Sequence, residues 1–442
     1  MTAFIDKLAQ RQATIGVIGL GYVGLPLLLG LADAGHPCIG FDVDATKTDK
    51  LARGESYLAH IDTATIGRLA EDPKQRLTAD AATLADADAL LICVPTPLGP
   101  HNEPDLTYVE ATAETIAPHL KHGALVVLES TTYPGTTDEV LTPILEQITG
   151  FKAGETLFVA YSPEREDPGN PNYGTTTIPK IVGADDEIAS TMAVALYETV
   201  VPAVVAVGDA RTAEAVKLTE NIFRSVNIAL VNELKVVFDP MGIDIWTVIE
   251  GAKTKPFGYM PFYPGPGLGG HCIPIDPYYL TWKAREYGHH TRFIELAGQI
   301  NTAMPDYVIA KTSRALNDHA AKALNGARIL ILGVAYKKNV DDMRESPALV
   351  LIEKLQDHGA EVAFYDPMVP AIPPTRRHGG LKGMTSLAWR DDLAADFDAV
   401  VVATDHDAID WAAVARHARI AVDTRNALRA HEDKLGDRLV RA

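Results

Sequence analysis

Short apolar runs alternate with helical stretches twice along this chain of 442 residues, once in each half, and that rhythm restricts the fold more than any other feature. In the first half the runs are Ile15 to Ile18, Cys38 to Phe41, Ala89 to Val94, Ala124 to Glu129 and Leu157 to Tyr161, with helical sequence such as Leu25 to Ala34 between them. In the second half Ile329 to Gly333, Glu361 to Asp366, Ala399 to Ala403 and Ile420 to Asp423 repeat the pattern, with a helix around Ala348 to His358. Strands that alternate with helices predict mostly parallel, doubly wound sheets. Between the halves, Thr212 to Phe238 reads as a long helix without proline or glycine, and helical sequence resumes from Pro277 to about Leu316. The expected class is therefore α/β: two doubly wound Rossmann-like domains joined by a helical central unit. The expected boundaries are 1–208, 209–316 and 317–442.

A formal charge of −18 argues against nucleic-acid or anionic-membrane partners, which reward a basic face. Three cysteines without regular spacing make no disulfide framework, and a start lacking a signal-peptide pattern points to the cytoplasm. Ile15 to Ala32 is uncharged and long enough to raise the question of a membrane span, but its glycines and Pro26 fit a buried strand, turn and helix better.

The first turn reads Gly19-Leu20-Gly21-Tyr22-Val23-Gly24. Two glycines permit a tight turn and close approach of a pyrophosphate, and Gly24 lets the helix pack on the sheet with its N-terminus toward the phosphates. Asp42 ends the second run about twenty residues later, where it can accept hydrogen bonds from a ribose diol. Its charge would repel a 2′-phosphate, which favours NAD over NADP. A turn-capping role for Asp42 is the alternative, and nearby Lys47 leaves some tolerance for phosphate.

Cys272 follows Pro264-Gly265-Pro266-Gly267-Leu268-Gly269-Gly270-His271 and precedes Ile273-Pro274-Ile275-Asp276-Pro277, a backbone too rich in glycine and proline for ordinary core. A thiolate can attack an aldehyde, and the thiohemiacetal so formed can release a second hydride. Free cysteines are more often small buried hydrophobes, the reading that suits Cys38 and Cys93 inside apolar strands. Asp276 reads as the N-cap of a helix whose first residue is Pro277. Lys217 and Asn221, four apart, share one helix face and can hold an oxyanion and a water, or belong to a solvated stripe. Two loops that follow strands, Glu129 to Thr137 and the one opening Ser162-Pro163-Glu164-Arg165, offer Glu164 as a general base and Arg165 as a cation. In the second half, Tyr336-Lys337-Lys338 suits a nucleobase bearing phosphates, or simple packing beside a solvated edge.

With these residues assembled, the chain resembles the nucleotide-sugar 6-dehydrogenase family over nearly its whole length. The resemblance rests on Gly-Tyr-Val-Gly-Leu-Pro at 21–26, Val-Pro-Thr-Pro at 94–97, Ser-Thr-Thr at 130–132, Ser-Pro-Glu-Arg at 162–165, the Lys217/Asn221 helix, Gly-Gly-His-Cys-Ile-Pro at 269–274 and Asp-Met-Arg-Glu-Ser-Pro at 342–347. It implies two NAD per UDP-sugar, with C6 taken to a carboxylate through a thiohemiacetal and a thioester on Cys272. It implies oxyanion stabilisation by Lys217 and Asn221, and water positioning and proton shuttling by Asp276, Thr131 and Glu164. Cofactor contacts then fall to Gly19, Gly21, Tyr22, Val23, Gly24, Asp42, Lys47, Thr96, Thr131 and Arg344. Substrate contacts fall to Glu164, Arg165, Lys217, Asn221, Lys255, Tyr263, Gly265, Gly267, Gly269, Tyr336, Lys337 and Arg425. No metal is expected, and a homodimer or higher homo-oligomer is. Arg165 stands where UDP-glucose enzymes typically carry phenylalanine, and 254–263 resembles the UDP-N-acetylglucosamine branch and lacks the His-Pro-Arg-Val of the N-acetylmannosamine branch. UDP-N-acetylglucosamine is the expected substrate, with UDP-N-acetylmannosamine or UDP-glucose as the alternatives and a catalytically idle nucleotide-sugar sensor as the remote one.

Overall fold

The strands Ile15–Ile18 (β1) and Cys38–Phe41 (β2) are buried at every residue, as strands covered on both faces must be. In the computed structural model they pair in parallel, Ile15 opposite Cys38, and are joined by Gln75–Thr78 (β3), Ala89–Ile92 (β4), Leu125–Leu128 (β5) and Phe158–Tyr161 (β6). The structure describes all residues except 59–60, 166–173, 175–176, 271 and 376, and excludes the side chain of Cys272. The first sheet runs β3-β2-β1-β4-β5-β6, all parallel, so the strand order reverses between β1 and β4. A small parallel pair, Lys180–Val182 (β7) and Val204–Ala206 (β8), adjoins it through a bridge between Tyr161 and Gly183.

The second sheet comprises Arg328–Leu332 (β9), Glu361–Tyr365 (β10), Ala399–Val402 (β11), Ala421–Asp423 (β12) and Leu439–Arg441 (β13), in the order β10-β9-β11-β12-β13 and again wholly parallel. Its order reverses between β9 and β11. Ligands of open parallel sheets sit outside the carboxyl ends of the strands at such reversals, which here means the loops after β1 and β9.

The chain divides into two compact units, Met1–Glu220 with Tyr278–His290, and Asn221–Pro277 with Thr291–Ala442. Helix α1, Gly24–Asp33, is apolar almost all round and seals one face of the first sheet with Leu27, Leu28 and Leu31. Helix α2, Ala210–Phe238, begins in the first unit and ends in the second, and so does helix α3, Cys272–Glu286, in the opposite sense. Helix α4, Arg292–Ala320, sends Val308, Ile309 and Leu316 into the core beneath the second sheet. The run from Ile15 that raised the membrane question is β1, a turn and α1, and among the described residues no helix is long and apolar enough to cross a membrane.

One local expectation is overturned. Asp276 is not an N-cap, because α3 starts at Cys272 and carries Pro277 in its interior. Pro274 falls in the first helical turn, where a missing N–H costs nothing, so the helix can begin before the Asp276-Pro277 pair that reads as its opening.

Candidate active site

The loop after β1 is shaped for a phosphate. Gly19 has φ +88°, a conformation other residues rarely adopt, and its N–H donates to Phe41 O at 2.8 Å. A Cβ on Gly24 would lie 1.9 Å from Gly19 O, so α1 can start this close to the strand only with glycine there. At Gly21 a Cβ would meet nothing within 4 Å: the space beside that backbone is open, as a cradle for a pyrophosphate requires. Tyr22 and Val23 pack on the first core at the edge of the loop. Leu20 N–H donates to Asp42 Oδ2 at 2.9 Å, Asp44 N–H to Oδ1 at 3.0 Å, and Lys47 Nζ to Oδ2 at 2.9 Å. Lys47 thus neutralises Asp42 rather than standing apart as a phosphate ligand. Open backbone at Gly21, a helix start behind it and a carboxylate at the end of β2 fit NAD.

The loops after β4 and β5 are tied together. Thr96 Oγ1 donates to Thr131 O at 2.7 Å, Ser130 Oγ donates to Val94 O at 2.7 Å, and the hydroxyl of Tyr279 on α3 donates to Thr96 O. Glu214, on the first-unit part of α2, accepts from Gly135 N at 2.6 Å, Thr137 N at 2.9 Å and Thr137 Oγ1 at 2.7 Å. Burial pushes its pKa up to about 7 against those hydrogen bonds. Lys217, one turn further along α2, is buried.

After β6, Glu164 Oε1 accepts from Arg165 N–H at 2.7 Å and Oε2 lies 3.3 Å from Lys180 Nζ. Lys180 also donates to Glu129, whose other oxygen accepts from the Tyr197 hydroxyl. The Arg165 guanidinium is engaged by Glu220, at 2.6 Å from Nη2, and by Pro179 O at 2.7 Å. Its charge is therefore shared with a carboxylate on α2.

In the second unit, Asn221 Nδ2 donates to Asp276 Oδ2 at 2.5 Å, with both residues buried. The glycine-rich loop before α3 is held from several sides. Gly265 N–H donates to Asn232 Oδ1 at 3.0 Å, Asn232 donates to Asn301 at 2.9 Å, and Gly270 N–H donates to Arg344 O at 2.9 Å. Side chains at these glycines would collide: a Cβ at Gly265 would lie 2.5 Å from the Arg425 guanidinium, and one at Gly270 2.9 Å from the Tyr336 ring. Gly269 faces Tyr336 and Gly267 faces Pro347 in the same way. Arg425 Nε donates to Ala403 O at 3.0 Å. Tyr336 thus packs on the loop that leads to Cys272, and half-buried Lys337 follows it.

Three other expected residues have side-chain partners of their own. Arg344 is paired with Asp342, two residues earlier, at 2.6 Å, Tyr263 stacks on Trp246 with ring centroids 5.5 Å apart, and Lys255 is exposed with Nζ 5.1 Å from the Phe257 ring. The thiol of Cys272 and all of His271 fall outside the described atoms; the backbone of Cys272 opens α3. Cys38 and Cys93 are buried free thiols, Cys38 pushed up to about 12 and Cys93 also raised, both by burial first, which keeps them unreactive. Among the described residues no group of three or more His, Cys, Asp or Glu is arranged to hold a metal. Glu129, Lys180, Tyr197 and Glu214 were not singled out from sequence; the available signal was a glutamate closing one apolar run and a lysine opening another.

Comparison with known proteins covers most of the chain. Residues 13–201, 211–303 and 330–430 match the NAD binding, central and UDP binding domains of the UDP-glucose/GDP-mannose dehydrogenase family. A UDP-N-acetyl-D-glucosamine 6-dehydrogenase from Pseudomonas aeruginosa is 35% identical over 84% of this chain and 86% of its own. A UDP-N-acetyl-D-mannosamine dehydrogenase from Salmonella typhimurium is 36% identical over 94% of this chain and 99% of its own. The solved UDP-D-ManNAc dehydrogenase of Pyrococcus horikoshii superposes with a TM-score of 0.83 at 34% identity, covering 94% of this chain and 96% of that one.

Proposed function

The chain belongs to the UDP-glucose/GDP-mannose dehydrogenase family and is an NAD-dependent UDP-sugar dehydrogenase, and from that premise we propose that it oxidises C6 of UDP-N-acetylglucosamine to a carboxylate through Cys272. The observation that carries the reading is the Asn221–Asp276 hydrogen bond, which ties an amide to a carboxylate one helical turn past Cys272. An oxidation that stopped at the aldehyde would need neither a thiol nor a group to activate water.

NAD bound at the loop after β1 would supply the hydride acceptor, one equivalent for each of the two oxidations. Gly21, Gly24 and the α1 N-terminus would hold its pyrophosphate, and Asp42 its ribose diol. The Cys272 thiolate attacks the aldehyde carbon. The oxyanion so formed takes charge-assisted hydrogen bonds from the Lys217 ammonium and from the N–H of Asn221 not given to Asp276. Loss of the second hydride leaves a thioester, and water attacks its carbonyl while Glu164 and Asp276 take the protons and the thiolate departs. Alcohol, water and two NAD⁺ become carboxylate, two NADH and three protons. Tyr336, Lys337 and Arg425 grip the uridine diphosphate.

Arg165 argues against plain UDP-glucose, and the stretch 254–263 supports N-acetylglucosamine. UDP-N-acetylmannosamine is the second reading, favoured by the length over which the Salmonella relative aligns. The product is an activated uronic acid suited to surface polysaccharide synthesis. A homodimer is supported by exposed Phe223, Leu230 and Val237 on α2 and Phe293 and Leu296 on α4.

Purified protein offered the three UDP-sugars with NAD is expected to turn over UDP-N-acetylglucosamine fastest and yield two NADH per sugar. One NADH with free aldehyde overturns the thiol route, and preference for another sugar overturns the specificity. Cys272→Ser is expected to abolish steady-state formation of the acid.

A further inference from the structure

Lys180 opens β7 in the run Ile178-Pro179-Lys180-Ile181-Val182, where an apolar residue would be ordinary. Its side chain is 3% exposed, so its charge needs partners that water cannot supply. It has two. Nζ donates to Glu129, whose side chain is wholly buried, and lies 3.3 Å from Glu164, the least buried of the three at 10%. The Tyr197 ring stands 5.0 Å from the ammonium and its hydroxyl donates to Glu129. Glu129 is thereby sealed on both oxygens. Glu164 is fastened by the ammonium on one oxygen and by the Arg165 amide on the other, while remaining the only carboxylate of the group with an accessible edge.

We propose that Lys180 is a positioning residue for thioester hydrolysis, holding Glu164 in the orientation from which it takes a proton from water. The inference rests on the assignment of Glu164 made above. One cation serves two carboxylates, and each end of the arrangement is anchored on a different element: Glu129 after β5, Glu164 after β6, Tyr197 on the helix Glu187–Tyr197. Burial alone would lower the lysine pKa, yet Glu129 and Glu164 raise it above the ordinary value, so the ammonium stays charged. Without it, two carboxylates would face each other in a poorly solvated pocket, and Glu164, the one with room to move, would turn outward. That turn removes the base from the position that hydrolysis needs.

A double-mutant cycle tests this. Lys180→Met is expected to lower kcat by about tenfold to a hundredfold, the scale of a misplaced catalytic group, with KM for UDP-sugar and NAD changed by less than about twofold. Acyl-enzyme should accumulate, visible as an added sugar-nucleotide mass on the intact protein. Lys180→Arg is expected to restore most of the rate. In a Glu164→Gln background the same Lys180→Met change is expected to cost less than about twofold, because its target is already gone. An equal loss in both backgrounds overturns the proposal and leaves Lys180 a structural residue. Full kcat in Glu164→Gln alone overturns the Glu164 assignment instead, so the two failures are distinguishable. If Lys180→Met does not fold, the cycle is run with Glu129→Gln in every member, which removes the stranded charge, and thermal unfolding with NAD confirms the folded state.

Discussion

In both sheets the loop after the central strand is held by an aspartate at the end of the neighbouring strand, Asp42 in the first and Asp366 in the second, but the two carboxylates differ in what remains of them. Asp42 accepts from two backbone N–H groups and from Lys47, a side chain 35% exposed that can swing aside. Asp366 accepts through Oδ2 from Val334 N at 2.6 Å, Ala335 N at 3.1 Å and His406 Nε2 at 3.1 Å, and through Oδ1 from Met368 N at 2.7 Å and Val369 N at 3.0 Å. These contacts fix the His406 tautomer: Nδ1 accepts from Asn339 N–H at 3.0 Å, so the hydrogen is on Nε2 and points at Asp366. Five donors saturate a carboxylate that has about four lone-pair sites. The same strand-turn-strand geometry thus yields a dinucleotide cradle where the carboxylate keeps capacity for a ribose, and a closed turn where it does not. Asp366 has no capacity left for a nucleotide at the second sheet, which accords with the role proposed for Tyr336 and Lys337 just beyond the turn.

The comparison can be broken most severely at Gly24. Gly24→Ala places a methyl 1.9 Å from Gly19 O, and loss of about 3 kcal/mol or more of stability together with loss of NAD binding is expected, measured by denaturant unfolding and cofactor titration. A stable variant that binds NAD would show that α1 can retreat and that the turn is not rigid. The next test exchanges roles. Asp366→Asn turns an amide N–H₂ toward donors and should cost about 2 kcal/mol and raise KM for UDP-sugar, while Asp42→Asn should cost about 1 kcal/mol or less and weaken NAD while narrowing its advantage over NADP. Similar stability losses in both variants would erase the distinction.

The smallest effect is a pH slope. Burial pushes Asp366 up, but the hydrogen bond from His406 and those from backbone N–H groups outweigh it and hold it below the ordinary aspartate value. Glu214 accepts only three donors, and burial leaves it at about 7. Between the unfolded carboxyl value of about 4.5 and 7, folded Glu214 keeps a proton that the unfolded chain has lost, so its contribution to stability falls as pH rises through that window. By that linkage Glu214→Gln should flatten the decline in Tm between roughly pH 5 and pH 7.5, whereas an unchanged slope would assign the decline to other groups.

Strands, sheet class and the first turn were legible because they depend on neighbours in sequence. The apolar run Cys38 to Phe41 coincides with β2, and Gly19 stands where the chain must take a positive φ. The start of α3 was not legible, for the complementary reason. Asp276-Pro277 is a good local cap signal, but the Asp276 carboxylate is taken by Asn221, distant in sequence, while its backbone stays helical.

What the amino-acid order determined by itself is therefore the parallel α/β class, the glycine turn after β1 and the candidate residue types at Cys272, Lys217, Asn221 and Glu164, since periodicity and φ preferences act over a few residues. Tertiary structure alone decided which charges are available. Lys47 is bound to Asp42, Arg165 to Glu220 and Arg344 to Asp342, and Lys180 bridges Glu129 and Glu164. An ion pair depends on distance through space and on exclusion of water, and apart from the short-range partners of Lys47 and Arg344, neither is written in the spacing along the chain.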